Sequence, residues 1–149
     1  MTARPVDNQR IQELYIQLNA IRKRIELLNL TAQDFSNDTN PDSLSAAYVD
    51  AVIVLFYRAI EEANELSYET KWEYPNIPWD QIRGMRNAVA HAYFKLDLPT
   101  VWDTIEHDLS ALREVCEKYA ENHGLKLDPH AASSQLSLYD EVMGVEGTE

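Results

Sequence analysis

At 149 residues the chain has the size of one domain, long enough to bury roughly two-thirds of the surface its unfolded form would expose. A formal charge of -12 excludes a protein that coats nucleic acid without sequence preference, because counterion release needs a lysine- and arginine-rich surface; a local basic cleft stays compatible with it. Cys116 is the only cysteine, which excludes an intrachain disulfide and a cysteine-based zinc site.

The 45% hydrophobic content, four glycines and heavy use of Leu, Ile, Ala and Glu predict an all-α fold. The first seven residues hold no apolar signal core, and the longest apolar run, residues 51–56, is far too short to span a bilayer. The chain reads as a soluble, cytoplasmic protein.

From Asp7 to about Asn29, Ile11, Leu14, Leu18, Ile21, Ile25 and Leu28 alternate spacings of three and four, the stripe of an amphipathic helix. The opposite face carries Arg10, Glu13, Arg22, Lys23 and Glu26 and reads as solvated. Asn40-Pro41-Asp42 resembles a helix start, and a second helix is predicted from there to about Ser67. Its apolar residues cover more than one stripe, as expected of a central element packed on two sides. Glu61, Glu62 and Glu65 crowd its far end, without the histidine offset of carboxylate-bridged metal sites.

Residues 68–79 read as an aromatic-rich connector restricted by Pro75 and Pro78 and pinned by Tyr74, Ile77 and Trp79. A third helix is predicted from Trp79 to Tyr93, burying Ile82, Met85, Val89 and Ala92. Asp97-Leu98-Pro99 repeats the start signal, and Val101, Ile105, Leu109, Leu112, Cys116 and Tyr119 carry a fourth helix to a left-handed terminator at Gly124. The domain is thus predicted over residues 1–124, a bundle of four to five antiparallel helices. Residues 125–149 form an acidic extension, partly disordered or partner-docking, with a possible short helix through Leu136, Leu138, Tyr139, Val142 and Met143.

Chemistry concentrates in residues 83–94, which hold Arg86, Asn87, His91 and Tyr93. Arginine offers a fixed fork of donors for phosphate, histidine moves a proton near neutral pH, and tyrosine presents a phenol open to modification. Arg86 and His91 are five positions apart, turned about 140° from one another on an undistorted helix. Either the helix ends or distorts near His91, or a second copy completes the site across a two-fold axis. Spacing alone leaves open whether this is a site at all. The arginine can instead pair with an acid, the histidine pack at a helix end, and Tyr93 join the core.

The run Asn76-Ile77-Pro78-Trp79, then Ile82 to Phe94, then Asp97-Leu98-Pro99-Thr100-Val101-Trp102-Asp103-Thr104-Ile105 resembles the HepT-like branch of the HEPN superfamily over roughly residues 10–120. The resemblance implies a small helical homodimer acting as the toxin of a toxin-antitoxin pair. It implies metal-independent RNA cleavage without a cofactor, with Arg86 and His91 as the catalytic pair and Asn87 in support. Tyr93 matches the tyrosine that a minimal nucleotidyltransferase antitoxin modifies with AMP. The alternative is a non-catalytic module that binds and regulates the nucleotidyltransferase. Two departures stand out: Glu61 occupies a position where the family commonly has glycine, and Ala92 another. Neither is expected to touch the motif side chains.

Overall fold

The computed structural model describes residues 5–131. Helix α1 spans Pro5–Leu28, α2 Leu44–Asn64, α3 Tyr68–Glu73, α4 Trp79–His91, α5 Leu98–Asp103 and α6 Leu109–His123. No strand occurs among the described residues, and no helix there is long and apolar enough to cross a membrane.

The predicted stripe of α1 is buried, Ile11 and Leu14 fully enclosed and Leu18 and Ile21 nearly so, but burial extends past it to Gln17 and to Glu13, which was expected on the solvated face. Asn29, at φ 52°, ends the helix in the left-handed conformation, and the Leu30 amide closes back on the Ile25 carbonyl at 3.0 Å. Helix α2 is the central element. It buries residues such as Val52, Phe56, Ile60 and Ala63 and packs between α1 and α4. Pairs across these helices fix their directions. Arg10 with Glu62, and Asp7 with Ser67, set α1 and α2 antiparallel; Glu61 with Arg86, and Asp50 with Tyr93, do the same for α2 and α4. Tyr119 donates to Asn8 at 2.7 Å, laying the end of α6 against the start of α1.

Helix α2 begins later than expected. Ser43 caps it by accepting from the Ala46 amide at 3.1 Å, whereas Asn40 closes a turn on the Asp42 amide at 2.9 Å. The connector 68–79 also contains a helix that its composition does not announce. Ser67 caps α3, and the buried Asp7 of α1 accepts from the Ser67 amide and hydroxyl and from the Thr70 hydroxyl, at 3.1, 2.5 and 2.5 Å. Trp79 does pin the connector, its indole N–H shared between the carbonyls of Lys71 and Tyr74.

The predicted fourth helix is α5 and α6 joined through a π-helical segment, Thr104–Asp108, with helical backbone at each junction. Successive spacings of four from Val101 to Ile105 to Leu109 overshoot a 3.6-residue turn. The wider π turn absorbs the overshoot, so all three remain buried. Gly124, at φ 65°, terminates α6 as expected, and Cys116 lies fully inside the core. Beyond it, Leu125 and Leu127 pack against the core and Gln12 donates to the Asp128 carbonyl at 3.0 Å. The short helix expected through residues 136–143 lies outside the described residues.

Candidate active site

Helix α4 displays the motif. Ile82 and Val89 face the core, Met85 is half-buried against it, and the Trp79 indole anchors the start. With that face fixed by burial, Arg86 lies on the flank turned toward α2. Its Nε donates to Glu61 Oε1 at 2.7 Å and its Nη1 to Asn87 Oδ1 at 3.1 Å. The other oxygen of Glu61 accepts from the Tyr57 hydroxyl at 3.4 Å. The hydrogen bond and charge of Glu61 raise the guanidinium's pKa further, leaving it a permanent cation.

This network corrects one expectation. Glu61 was expected not to touch the motif side chains, yet it makes the shortest ion pair found among the described residues. Both partners are a little over a quarter exposed, at 29% for Glu61 and 28% for Arg86. Position 61 falls on the side of α2 that meets α4, and its chain length just spans the gap.

His91 is the last residue of α4, exposed, and without a hydrogen-bond partner among the described residues. The helix runs unbroken from Trp79 to His91, so no distortion brings Arg86 and His91 together. They sit about 140° apart around the axis and about 7.5 Å apart along it. The structure therefore joins Arg86 to Asn87 and leaves His91 apart from both.

The helix ends two residues sooner than expected. Ala92 caps α4 at φ -145°, ψ 44°, a negative φ that demands no glycine, and Tyr93 opens a short 3-10 turn, Tyr93–Lys95. Tyr93 consequently leaves the face it would share with Arg86 on a continued helix. Its hydroxyl donates to Asp50 Oδ1 on α2 at 2.8 Å, and its ring is 43% exposed. Partial burial, aided by the hydrogen bond and charge of Asp50, pushes the phenol up to about 12.

Tyr93 and Asp50 stand on the wall of a cleft of about 510 Å³ that also holds Asp34, Lys95 and Asp97. Asn37 ties its two sides, donating to Asp97 at 2.7 Å and accepting from the Leu98 amide at 2.9 Å. Arg86 and His91 do not line it. The two arginines of this stretch are paired with acids: Arg83 with Asp80 at 3.2 Å and Arg86 with Glu61 at 2.7 Å. No group of histidine, cysteine and carboxylate side chains suited to a metal ion occurs among the described residues.

Asp50, Glu61 and Tyr57 are the site-side residues that sequence reasoning missed. All three are ordinary residues of an amphipathic helix, and only the α2–α4 packing gives them a role. The single available signal was the carboxylate at 61 in place of a glycine.

Comparison with known proteins adds to this geometry. A protein named "Gamma-glutamylcyclotransferase and putative RNase" from Methanocaldococcus jannaschii is 28% identical over 111 residues, covering 74% of this chain and 49% of the relative. A "Putative RNase" of the same organism is 26% identical over 94 residues, 62% of this chain and 78% of the relative. A "Probable ribonuclease HepT" from Thermococcus cleftensis is 33% identical over 58 residues, 39% of this chain and 53% of the relative. The chain thus spans about half the length of the first of these proteins. No solved structure matches the chain. The family described as "Ribonuclease HepT-like" matches residues 18–119, which takes in α2, all of α4 and the motif it carries; the chain belongs to the HepT-like family.

Proposed function

We propose that the protein is a metal-independent endoribonuclease, the toxin of a toxin-antitoxin pair, acting at a cleft shared by two copies of the chain. The observation that carries this reading is the state of α4: a partly exposed, permanently charged Arg86 held on one flank and an exposed His91 at the helix end. A phosphodiester needs both kinds of group. In the reaction the ribose 2'-hydroxyl attacks the adjacent phosphorus, its proton passes to the imidazole, and the imidazolium so formed protonates the 5'-oxygen as it leaves, giving a 2',3'-cyclic phosphate. Arg86 holds the non-bridging oxygens and stabilises the charge that develops on them, while His91 moves the protons. Asn87 supports Arg86 through the 3.1 Å contact. The 2'-hydroxyl requirement makes RNA the substrate and spares DNA.

Two copies answer the divergence of Arg86 and His91 along α4, since a two-fold axis brings a second histidine to the first copy's arginine. Mixing Arg86→Ala and His91→Ala proteins under conditions that exchange subunits is expected to recover cleavage that neither variant has alone. No recovery in verified mixed dimers counts against a shared cleft.

Control is assigned to Tyr93, as acceptor of AMP from a minimal nucleotidyltransferase. Its phenol attacks the α-phosphorus of ATP bound by the partner and pyrophosphate leaves. The phenolic proton needs an acceptor, because a hydroxyl pushed up to about 12 stays protonated at neutral pH. Asp50, already hydrogen-bonded to that hydroxyl at 2.8 Å, is placed to take it. The acidic end of the chain beyond Asp128 is proposed to dock the partner, which its truncation tests through partner affinity.

The decisive experiment incubates purified protein with labelled RNA in EDTA. Cleavage by the wild type and none by His91→Ala is the expected result. A folded dimer that binds the nucleotidyltransferase and cuts no RNA fits a non-catalytic regulatory module instead.

A further inference from the structure

We infer that Glu61 is a positioning residue that holds Arg86, from the neighbouring helix, in the orientation that receives the phosphate. The inference rests on the ribonuclease reading of Arg86 and adds a residue that the motif does not contain. Three features of the contact carry it.

The first is which donor Glu61 engages. A guanidinium has five N–H donors on three nitrogens. Glu61 takes the one on Nε, at 2.7 Å, and Asn87 takes one on Nη1, at 3.1 Å. Arg86 makes no further hydrogen bond to a described residue, which leaves Nη2 and the second Nη1 proton for the paired contacts that a phosphate accepts. The second is how Glu61 is itself held. Its Oε1 faces the arginine while its Oε2 accepts from Tyr57, one helical turn earlier on α2, at 3.4 Å. The carboxylate thereby has a partner at each oxygen, the Tyr57 contact being the long one, and the guanidinium is contacted from two helices. The third is the environment. At 28% and 29% exposure the pair is partly withdrawn from water, unlike Arg83 and Asp80, whose side chains are 61% and 91% exposed. Screening weakens the outer pair far more than the inner one.

A carboxylate beside a phosphate-binding arginine can instead act as a brake by occupying the fork in place of substrate. The geometry favours positioning. A brake would lay both oxygens across the outward pair of nitrogens, whereas here one oxygen meets the inward Nε and the other turns to Tyr57. Glu61 and a phosphate have separate places on the same guanidinium. The two roles also predict opposite signs, because removing a brake raises activity and removing a positioning contact lowers it.

The test compares Glu61→Ala with Glu61→Gln on the full-length protein, with Arg86→Ala as control. Glutamine keeps an oxygen that accepts from Nε but drops the charge. Alanine is preferred to glycine here because glycine also weakens the helix. Glu61→Ala is expected to lower kcat for RNA cleavage on the order of tenfold, as small misplacements of a positioned group do, with KM changed by less than about threefold. Glu61→Gln is expected to recover most of that loss. A side chain that only stabilises the fold would lower the melting temperature without separating kcat from KM, and glutamine would bring no rescue. If Arg86→Ala is inactive while both Glu61 variants cut RNA as fast as the wild type or faster, the positioning role is overturned and the ribonuclease reading stands. If Arg86→Ala itself keeps full activity, the ribonuclease reading falls and this inference with it. Should Glu61→Ala fail to fold, Glu61→Leu, which keeps the side chain's bulk and helix propensity but has no acceptor, takes its place: a kcat lowered on the order of tenfold supports positioning, and wild-type or higher activity overturns it.

Discussion

Arg86 and His91 stand on one helix five residues apart, and the molecule treats them differently. Arg86 is tied to a second helix through Glu61, and through Glu61 to Tyr57; His91 ends α4 in the open with no partner among the described residues. The proposed function accounts for the contrast. A group that holds phosphate gains from being fixed before substrate arrives, since orientation is what it supplies. A group that moves protons has to meet atoms that are not part of its own chain. Under the proposed function a single copy presents the phosphate-binding half, and its acid-base half is completed by a second copy.

The largest effect expected is therefore a separation of activity from stability at position 91. His91→Ala should lower RNA cleavage by about 10² to 10⁴, the usual contribution of a proton-transfer group. The same change should leave stability within about 0.5 kcal/mol, because an exposed side chain without partners has little to lose. Cleavage assays beside thermal unfolding check both halves, and a large loss of stability would mean that His91 has structural partners after all. Next in size is Arg86→Lys. An ammonium carries the charge but cannot engage Glu61, Asn87 and a phosphate at once in a fixed plane, so kcat should fall roughly ten- to a hundredfold despite the retained cation.

The helices were legible because their burial is periodic. Leu14, Leu18 and Ile21 recur at helical spacing and are buried, as are Leu112, Cys116 and Tyr119, and Gly124 supplies the backbone conformation its position called for. The motif was legible as a list of residues, and Arg86, Asn87 and His91 all lie on the predicted helix. What could not be read is what long-range packing creates. Helix α3 has one buried residue, Thr70, and depends on Asp7, more than sixty residues away in sequence; six residues are too few to show a period. The real cap of α2 lay three residues beyond Asn40, and both candidates carry side chains that suit the task. Glu61 and Arg86 are 25 positions apart on different helices, and no spacing rule links them. Tyr93 was misplaced because the helix stops at Ala92, where nothing in the residue types demands an end.

Tyr93 and Asp50 sharpen the contrast, because here a mobile proton does have a partner within the chain. Asp50→Asn removes the negative charge that disfavours tyrosinate, so the phenol should titrate below its wild-type position of about 12. Tyrosinate absorbance against pH measures this as an earlier Tyr93 transition, identified by its loss in Tyr93→Phe. The sign for stability follows. A phenol whose folded pKa is raised stabilises the fold fully below the ordinary value of about 10, and that contribution is lost as pH rises from there toward about 12. In wild type, stability should therefore decline across that alkaline window, and in Asp50→Asn the decline should be shallower. With the nucleotidyltransferase and ATP present, the same variant should accept AMP about tenfold more slowly if Asp50 receives the proton. Unchanged labelling by mass spectrometry would leave Asp50 only a hydrogen-bond partner.

The smallest effect concerns what Arg86 contributes to the fold. Arg86→Ala strands the Glu61 carboxylate, and in a sealed interior that would be costly. Glu61 is 29% exposed, however, so water reaches it, and the Tyr57 hydroxyl remains within 3.4 Å. The expected loss is small, the scale of a partly exposed ion pair, and reads as a slightly lowered melting temperature. Removing Glu61 as well should restore most of that small loss, because the stranded charge goes with it; a double-mutant cycle on thermal stability reads the difference. If the cycle instead gives a coupling several times larger, Arg86 is mainly a clamp between α2 and α4, and the view that its grip serves phosphate binding loses its main support. A weak coupling in stability beside a strong one in kcat would separate orientation from folding at this arginine.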